Sequence, residues 1–253
     1  MNAKGRRAFS AAAALAAASL GWIAPAAAVV GAADKDARFA DRVVMVLTRG
    51  ADEQANCSGV VLGPRVVLTA AHCVRPTRDM AVLYRDETGA PMLSPVQAVA
   101  VHPLYRTDAV ARRVVSIDLA LVETQTPLDA RFVASKLASG EGPAIGETTI
   151  LAGYGIAREG DPLTGGALRS ASLTVRAPLS TILLWADGGD RAGLGACVGD
   201  SGGPLFSADG ETVLAIVAWT SGPRGRHCGE LTQGPLIAPQ RAWIDATLAR
   251  WGR

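Results

Sequence analysis

Aromatic residues are scarce in this 253-residue chain, at 5%, with five Trp, four Phe and three Tyr. A core built from it must rest on aliphatic side chains. The 49% hydrophobic content supplies enough of them for one large core or two modest ones. After the N-terminus no stretch is apolar for long enough to cross a bilayer, which argues against a spanning helix in the body of the chain. No tandem repeat and no low-complexity segment lies beyond the first residues, so a repeat array has no basis. A dominant charge is also missing. Lys+Arg number 25 against 23 Asp+Glu, but Lys4, Arg6 and Arg7 fall in the first 28 residues, which hold no acid. The rest carries 22 against 23, a balance of −1, and offers no surface suited to nucleic acid or membrane. The four cysteines, Cys57, Cys73, Cys197 and Cys228, include no short-spaced pair of the zinc-knuckle kind. No clear acidic loop signals calcium, and no metal or other cofactor is expected.

The first 28 residues read as an export signal. A basic start is followed by an Ala/Leu-rich run from Ala11 to about Ile23, and Ala26, Ala27 and Ala28 offer a small-residue cleavage site. Arg6-Arg7 hints weakly at a twin-arginine signal. The competing reading, a membrane anchor, is disfavoured by the short run and by the small residues that end it. An even cysteine count behind such a signal suggests disulfides, although counting leaves three pairings open. An exported product, periplasmic or secreted, is expected.

Short aliphatic and β-branched runs dominate the chain beyond residue 28. Val43–Leu47, Val60–Leu62, Val66–Leu68, Met80–Tyr84, Val96–Val101 and Leu119–Val122 form one set. Thr148–Leu151, Leu168–Val175, Ile182–Trp185, Pro204–Phe206, Val213–Trp219 and Gly234–Ile237 form another. Turn signals such as Gly63-Pro64 and Gly89-Ala90-Pro91 separate them. Strands at this spacing predict an all-β fold of barrels or sandwiches rather than parallel α/β units. The segment from Thr126 to Gly146 is poor in strand signals and reads as a link between two halves. Pro239 to Trp251 reads as a helix, with Trp243, Ile244, Thr247 and Leu248 on one face.

Three segments carry chemistry. In Gly199-Asp200-Ser201-Gly202-Gly203-Pro204 the glycines permit a sharp turn that aims the amides of Gly199 and Ser201 into one pocket. A serine hydroxyl needs a base, and imidazole is the usual one. Of the three histidines, His72 comes after an apolar run in Leu68-Thr69-Ala70-Ala71-His72-Cys73, whereas His102 and His227 read as structural residues in loops. Asp118 stands ahead of Leu119-Ala120-Leu121, among residues expected to be buried. A carboxylate there needs hydrogen bonds, and the ring of His72 would supply one. Read singly, the three segments are also compatible with a glycine-rich turn, a structural histidine and a turn aspartate.

Together these motifs resemble the chymotrypsin–trypsin family of serine proteases over nearly the whole chain after the signal. The order His, Asp, Ser is the family's, and Gly153-Tyr154-Gly155, His102-Pro103-Leu104-Tyr105 and the C-terminal helix add to the likeness. The resemblance implies two six-stranded antiparallel β-barrels and a C-terminal helix, over about residues 29–137 and 138–253. It implies His72, Asp118 and Ser201 as the catalytic triad, Gly199 and Ser201 as oxyanion donors, and disulfides Cys57–Cys73 and Cys197–Cys228. The implied partners are protein or peptide substrates, acted on by a monomer.

Active relatives begin with Ile-Val-Gly-Gly or Val-Val-Gly-Gly. Val29-Val30-Gly31-Ala32 directly succeeds the signal, so the resemblance implies an ion pair between a freed Val29 amine and Asp200. It places Gly195 and Ala196 at the floor of the specificity pocket, and Ala218, Trp219, Thr220 and Gly234 in its walls. No acid stands at Gly195 to pair with Lys or Arg, and Thr220 replaces a glycine that leaves space. Cleavage after small or medium uncharged residues is expected, unless Asp187 or Asp190 reaches the pocket. Ala218 replaces a serine that normally donates to the triad acid. The rivals are a non-catalytic binding protein on the same fold and an esterase using the same triad.

Overall fold

The computed structural model describes residues 29–31, 34–50, 54–74 and 79–253. The expected signal at residues 1–28 lies outside the described residues. The chain runs through β1 (Asp34–Lys35), β2 (Val43–Arg49), β3 (Gln54–Gly63), β4 (Val66–Thr69), β5 (Asp79–Arg85), β6 (Pro91–Val101), helix α1 (Ala109–Arg112) and β7 (Ala120–Thr124). It continues through β8 (Lys136–Leu137), β9 (Thr148–Gly153), β10 (Arg169–Val175), β11 (Leu183–Asp187), β12 (Pro204–Ser207), β13 (Thr212–Ile216), β14 (Trp219–Ser221), β15 (Leu231–Pro235) and helix α2 (Arg241–Arg250).

The first half is a closed barrel in the order β2-β3-β4-β7-β6-β5, antiparallel throughout. In β5 the period-two pattern is clean, with Met80, Val82 and Tyr84 buried. Every residue of β4 and β7 is buried, as befits strands covered on both faces. The second half is a nine-stranded sheet ordered β14-β15-β11-β10-β9-β12-β13-β8, with β1 added to β10. An isolated Ala215↔Leu236 bridge joins β13 to the chain just after β15 and curls this sheet round on itself. The fold is therefore the expected mostly-β one, with a closed barrel, a second sheet and a short C-terminal helix.

One apolar cluster fills the first barrel and continues across the seam to Phe206, Ile216, Ile237 and Ile244. Phe39 stacks on Phe206 at 4.7 Å between ring centroids, pinning the halves together. A second cluster, including Leu151, Leu173, Leu194 and Leu205, fills the other half. Helix α2 docks through Ile244 and Thr247, and Trp243 meets the His102 ring edge-on at 4.8 Å.

Three details differ from the sequence expectation. The run Val213–Trp219 is not one strand, because Val217 exchanges backbone bonds with Gly202 and Gly203 while Ala218 turns to Gln233. The linking segment holds β8, which pairs in parallel with β13. The last strand, expected over Gly234–Ile237, is β15, three residues earlier at its start.

Candidate active site

His72 and Asp118 meet because β4 and β7 are antiparallel neighbours whose ends are in register, with Thr69 opposite Ala120. His72 sits in the single turn Ala71–Cys73 just after β4, and Asp118 just before β7. The His72 amide donates to Asp118 Oδ1 at 2.9 Å, and its Nδ1 lies 2.6 Å from Oδ2. An ionised carboxylate only accepts, so Nδ1 carries the proton and Nε2 keeps its lone pair. The His72 side chain is 35% exposed and Asp118 18%, so the base opens to solvent while the acid is mostly covered. Cys57 is bonded to Cys73, which ties the turn carrying His72 to β3. Cys57, His72 and Cys73 lie close enough to suggest a metal cluster, but disulfide sulfurs offer no thiolate.

Ser201 belongs to the loop before β12. The Val198 carbonyl accepts the Ile156 amide at 2.8 Å and so is held away from the turn. Gly199 has φ +95, and a Cβ there would lie 2.9 Å from the Gly155 Cα, so only glycine fits. Among the described residues, no acceptor in the protein takes the N–H of Gly199 or of Ser201. Ser58 anchors this loop to the first barrel. Its amide donates to the Ser201 carbonyl and its hydroxyl to the Gly199 carbonyl, both at 2.8 Å. Gly202 packs against Thr69 and the Ala70 amide, at the strand end that leads to His72. The two halves thus bring the serine loop and the histidine turn to one seam.

Asp200 is fully buried. Its Oδ1 accepts the Gly155 amide at 2.8 Å and its Oδ2 the Cys197 amide at 2.9 Å. Burial still pushes its carboxyl up to about 7, against the pull of those amides and of the Arg169 charge. A Cβ on Gly153 or Gly155 would run into this carboxylate, so Gly153-Tyr154-Gly155 is its seat. Val29 is fully buried in the second core at φ +54, and Val30 bridges to Gly195, whose amide donates to its carbonyl at 3.2 Å. Among the described residues, no hydrogen bond joins Val29 to Asp200 in the uncleaved chain.

Around the expected pocket, Gly195 and Ala196 are both buried. Thr220 stands directly opposite Thr232 across β14 and β15. The Thr220 hydroxyl donates to the Ala196 carbonyl and the Ala196 amide donates to Thr232 Oγ1, each at 2.9 Å. Gly234 is not in this wall. It pairs with Leu184, two residues beyond Thr232, and its Cα faces the Ile216 carbonyl so closely that no Cβ would fit. The expectation tracked the glycine; the register puts a threonine in its place. Asp187 is occupied by Arg176 at 2.8 Å and Asp190 is exposed, so neither supplies a floor charge. Cys197 is bonded to Cys228 beside this wall.

A cavity of about 770 Å³ adjoins His72 and Asp118, with Ala218 and Trp219 in its lining. Trp219 is half exposed on β14, the terminal strand of its sheet. The other histidines lie apart. His102 is buried against Trp243, and burial lowers its pKa; His227 is exposed in a loop. Sequence reasoning missed Ser58, Ile156 and Thr232. Only strand register identifies Thr232, and Ser58 carries no motif beyond its place after Cys57.

A family model described as Trypsin matches residues 29–233. The chain belongs to the trypsin family. This protease is 29% identical to Trypsin eta of Drosophila melanogaster over 77% of its own length and 79% of that protein. It is 28% identical to human Granzyme M over 77% of its length and 80% of that protein. Among solved structures it matches the mouse brain serine protease neuropsin with a TM-score of 0.65 at 23% identity, covering 81% of this chain and 93% of that one. It also matches a scabies mite inactivated protease paralogue with a TM-score of 0.69 at 24% identity, covering 87% and 99%. These two likenesses speak for the fold alone. Family membership makes the protein a serine endopeptidase by class.

Proposed function

We propose that the chain is an exported serine endopeptidase that cleaves peptide bonds through an acyl-enzyme on Ser201. One observation carries this reading: an oriented His72–Asp118 pair shares a seam with a serine loop whose Gly199 and Ser201 amides are uncommitted among the described residues. Ser201 Oγ attacks the peptide carbonyl while His72 Nε2 takes its proton, and Asp118 stabilises the imidazolium. The amides of Gly199 and Ser201 receive the developing oxyanion, each worth about 3 kcal/mol by analogy with other such donors. His72 then protonates the leaving amine, and water, deprotonated by the same ring, releases the acyl group. Protein groups handle every proton and charge in these steps.

Residues 1–28 act as the removed signal and 29–253 as the mature, monomeric unit, in an oxidising compartment that suits its two disulfides. Cleavage after Ala28 frees the Val29 amine, which pairs with Asp200. An amine there matches the one fully buried acid of the loop. The primary pocket, crossed by Thr220, Ala196 and Thr232, takes Ala-sized uncharged side chains.

The test is a serine-directed phosphonate on protein beginning at Val29, with the adduct located by peptide mass spectrometry. Labelling of Ser201, lost in His72→Ala, supports the reading. A folded chain with no adduct would put a non-catalytic binding protein on the same fold first. Turnover of esters without peptides would favour an esterase.

A further inference from the structure

The cavity beside the triad pair is apolar over most of its wall, with Val114, Val115, Ile182, Leu183 and Trp219 among its lining residues. Its charged lining is uneven. Asp118 is committed to His72. Arg106 and Arg113 also line the cavity; both are exposed, and among the described residues neither is joined to a carboxylate. The nearby Asp108 is taken by the neighbouring Arg112 at 3.2 Å, which does not line the cavity. Arg113 adopts φ +54 directly after α1, a left-handed conformation that a non-glycine residue adopts at a cost. The loop between β6 and β7 therefore presents two unneutralised guanidinium groups to a cleft whose only lining carboxylate, among the described residues, is already in use.

The side of the scissile bond is set by the strand. On the endopeptidase reading the acyl residue sets its side chain against Thr220, in mid-β14, and Trp219, which opens β14, and Ala218, just before it, both line the cavity. A peptide paired with β14 lays its residues N-terminal to the cleaved bond across this cavity. Building on the endopeptidase reading above, we propose that Arg106 and Arg113 select substrates carrying an acidic residue two to four positions before the cleaved bond. The apolar wall accepts the methylene stem of such a residue, and the two guanidinium groups hold its carboxylate.

An exposed ion pair is worth up to about fivefold in binding, so two arginines set the expectation at roughly tenfold. The experiment measures kcat/KM on quenched peptides with Ala at the cleaved position and Glu, Gln or Lys at each of the three preceding positions. Glu should exceed Gln by about tenfold at one position, and the ratio should shrink as salt rises above about 0.15 M. In Arg106→Gln/Arg113→Gln the Glu/Gln ratio should fall to about one, and in Arg106→Glu/Arg113→Glu the Lys peptide should be preferred. The ratio is read within each variant, so a general loss of active protein does not imitate the effect. Equal rates on all three peptides, or a Glu preference that survives the double substitution, overturns the proposal while leaving the endopeptidase reading intact. No cleavage of any peptide together with no phosphonate adduct on Ser201 overturns both.

Discussion

The two halves of the molecule position their proposed catalytic groups by different means. The first barrel is a closed ring of strands, and His72 and Asp118 stand at adjacent ends of β4 and β7, fixed by ladder register. The second half holds Ser201 in a loop whose shape depends on Gly199, Gly202 and a buried carboxylate at Asp200. A closed barrel needs only its own sequence to present base and acid. The loop carries a buried carboxylate whose charge burial disfavours. If the freed Val29 amine pairs with it as proposed, the first half is built at folding and the second is completed at activation.

The sharpest way to test that contrast is to deny the second half its cation. Protein retaining Ala28 should lose at least about 100-fold in kcat/KM, the scale of losing an oxyanion donor, while His72 stays bound to Asp118. Its stability should depend on pH as well. In the uncleaved chain burial raises Asp200 from 3.8 to about 7. Between those values the folded state holds a proton that the unfolded state releases. Stability is then full below about pH 4 and falls as pH rises to 7, by up to about 4 kcal/mol. Urea unfolding at pH 5 and pH 8 should show about 3 kcal/mol of this loss in the uncleaved form and little of it in a chain starting at Val29. Equal slopes in both forms would break the comparison.

Next come the disulfides, one to each half. Replacing Cys57 and Cys73 by Ala opens a link of sequence separation 16, and replacing Cys197 and Cys228 one of 31. Each should cost about 3 kcal/mol in urea unfolding. If the halves differ as described, the second pair also changes peptide selectivity, because it braces the wall near Thr220, whereas the first lowers kcat without altering it. Smaller still, Thr220→Gly with Thr232→Gly removes both hydroxyl ties to Ala196 and opens the pocket. Leu-over-Ala selectivity in kcat/KM should rise by roughly 10- to 100-fold. The smallest effect is expected from Ala218→Ser, which offers a hydroxyl to Asp118 and should raise kcat about two- to threefold. No change, or a decrease, would show that Asp118 needs no donor there.

Much of this architecture was legible in the chain. Period-two runs such as Met80–Tyr84 announced strands, and the segments around His72, Asp118 and Ser201 announced chemistry. What escaped was whatever depends on pairing partners. Val213–Trp219 reads as one strand because its composition is uniform, yet its backbone changes neighbours at Val217. Gly234 drew the eye as a space-maker, but register hands that place to Thr232. The tie from Ser58 to the serine loop crosses 141 positions along the chain and leaves no local trace.

Strand β14 is three residues long and ends its sheet. Its outward face asks a visitor for vacant main-chain donors and acceptors before it asks for any side chain. A helix or an inner strand has none to spare, so an intact globular target is illegible to it. If β14 takes substrate by strand addition as proposed, targets are chosen largely by their own breathing: a segment becomes prey in proportion to the time it spends detached from the rest of its fold.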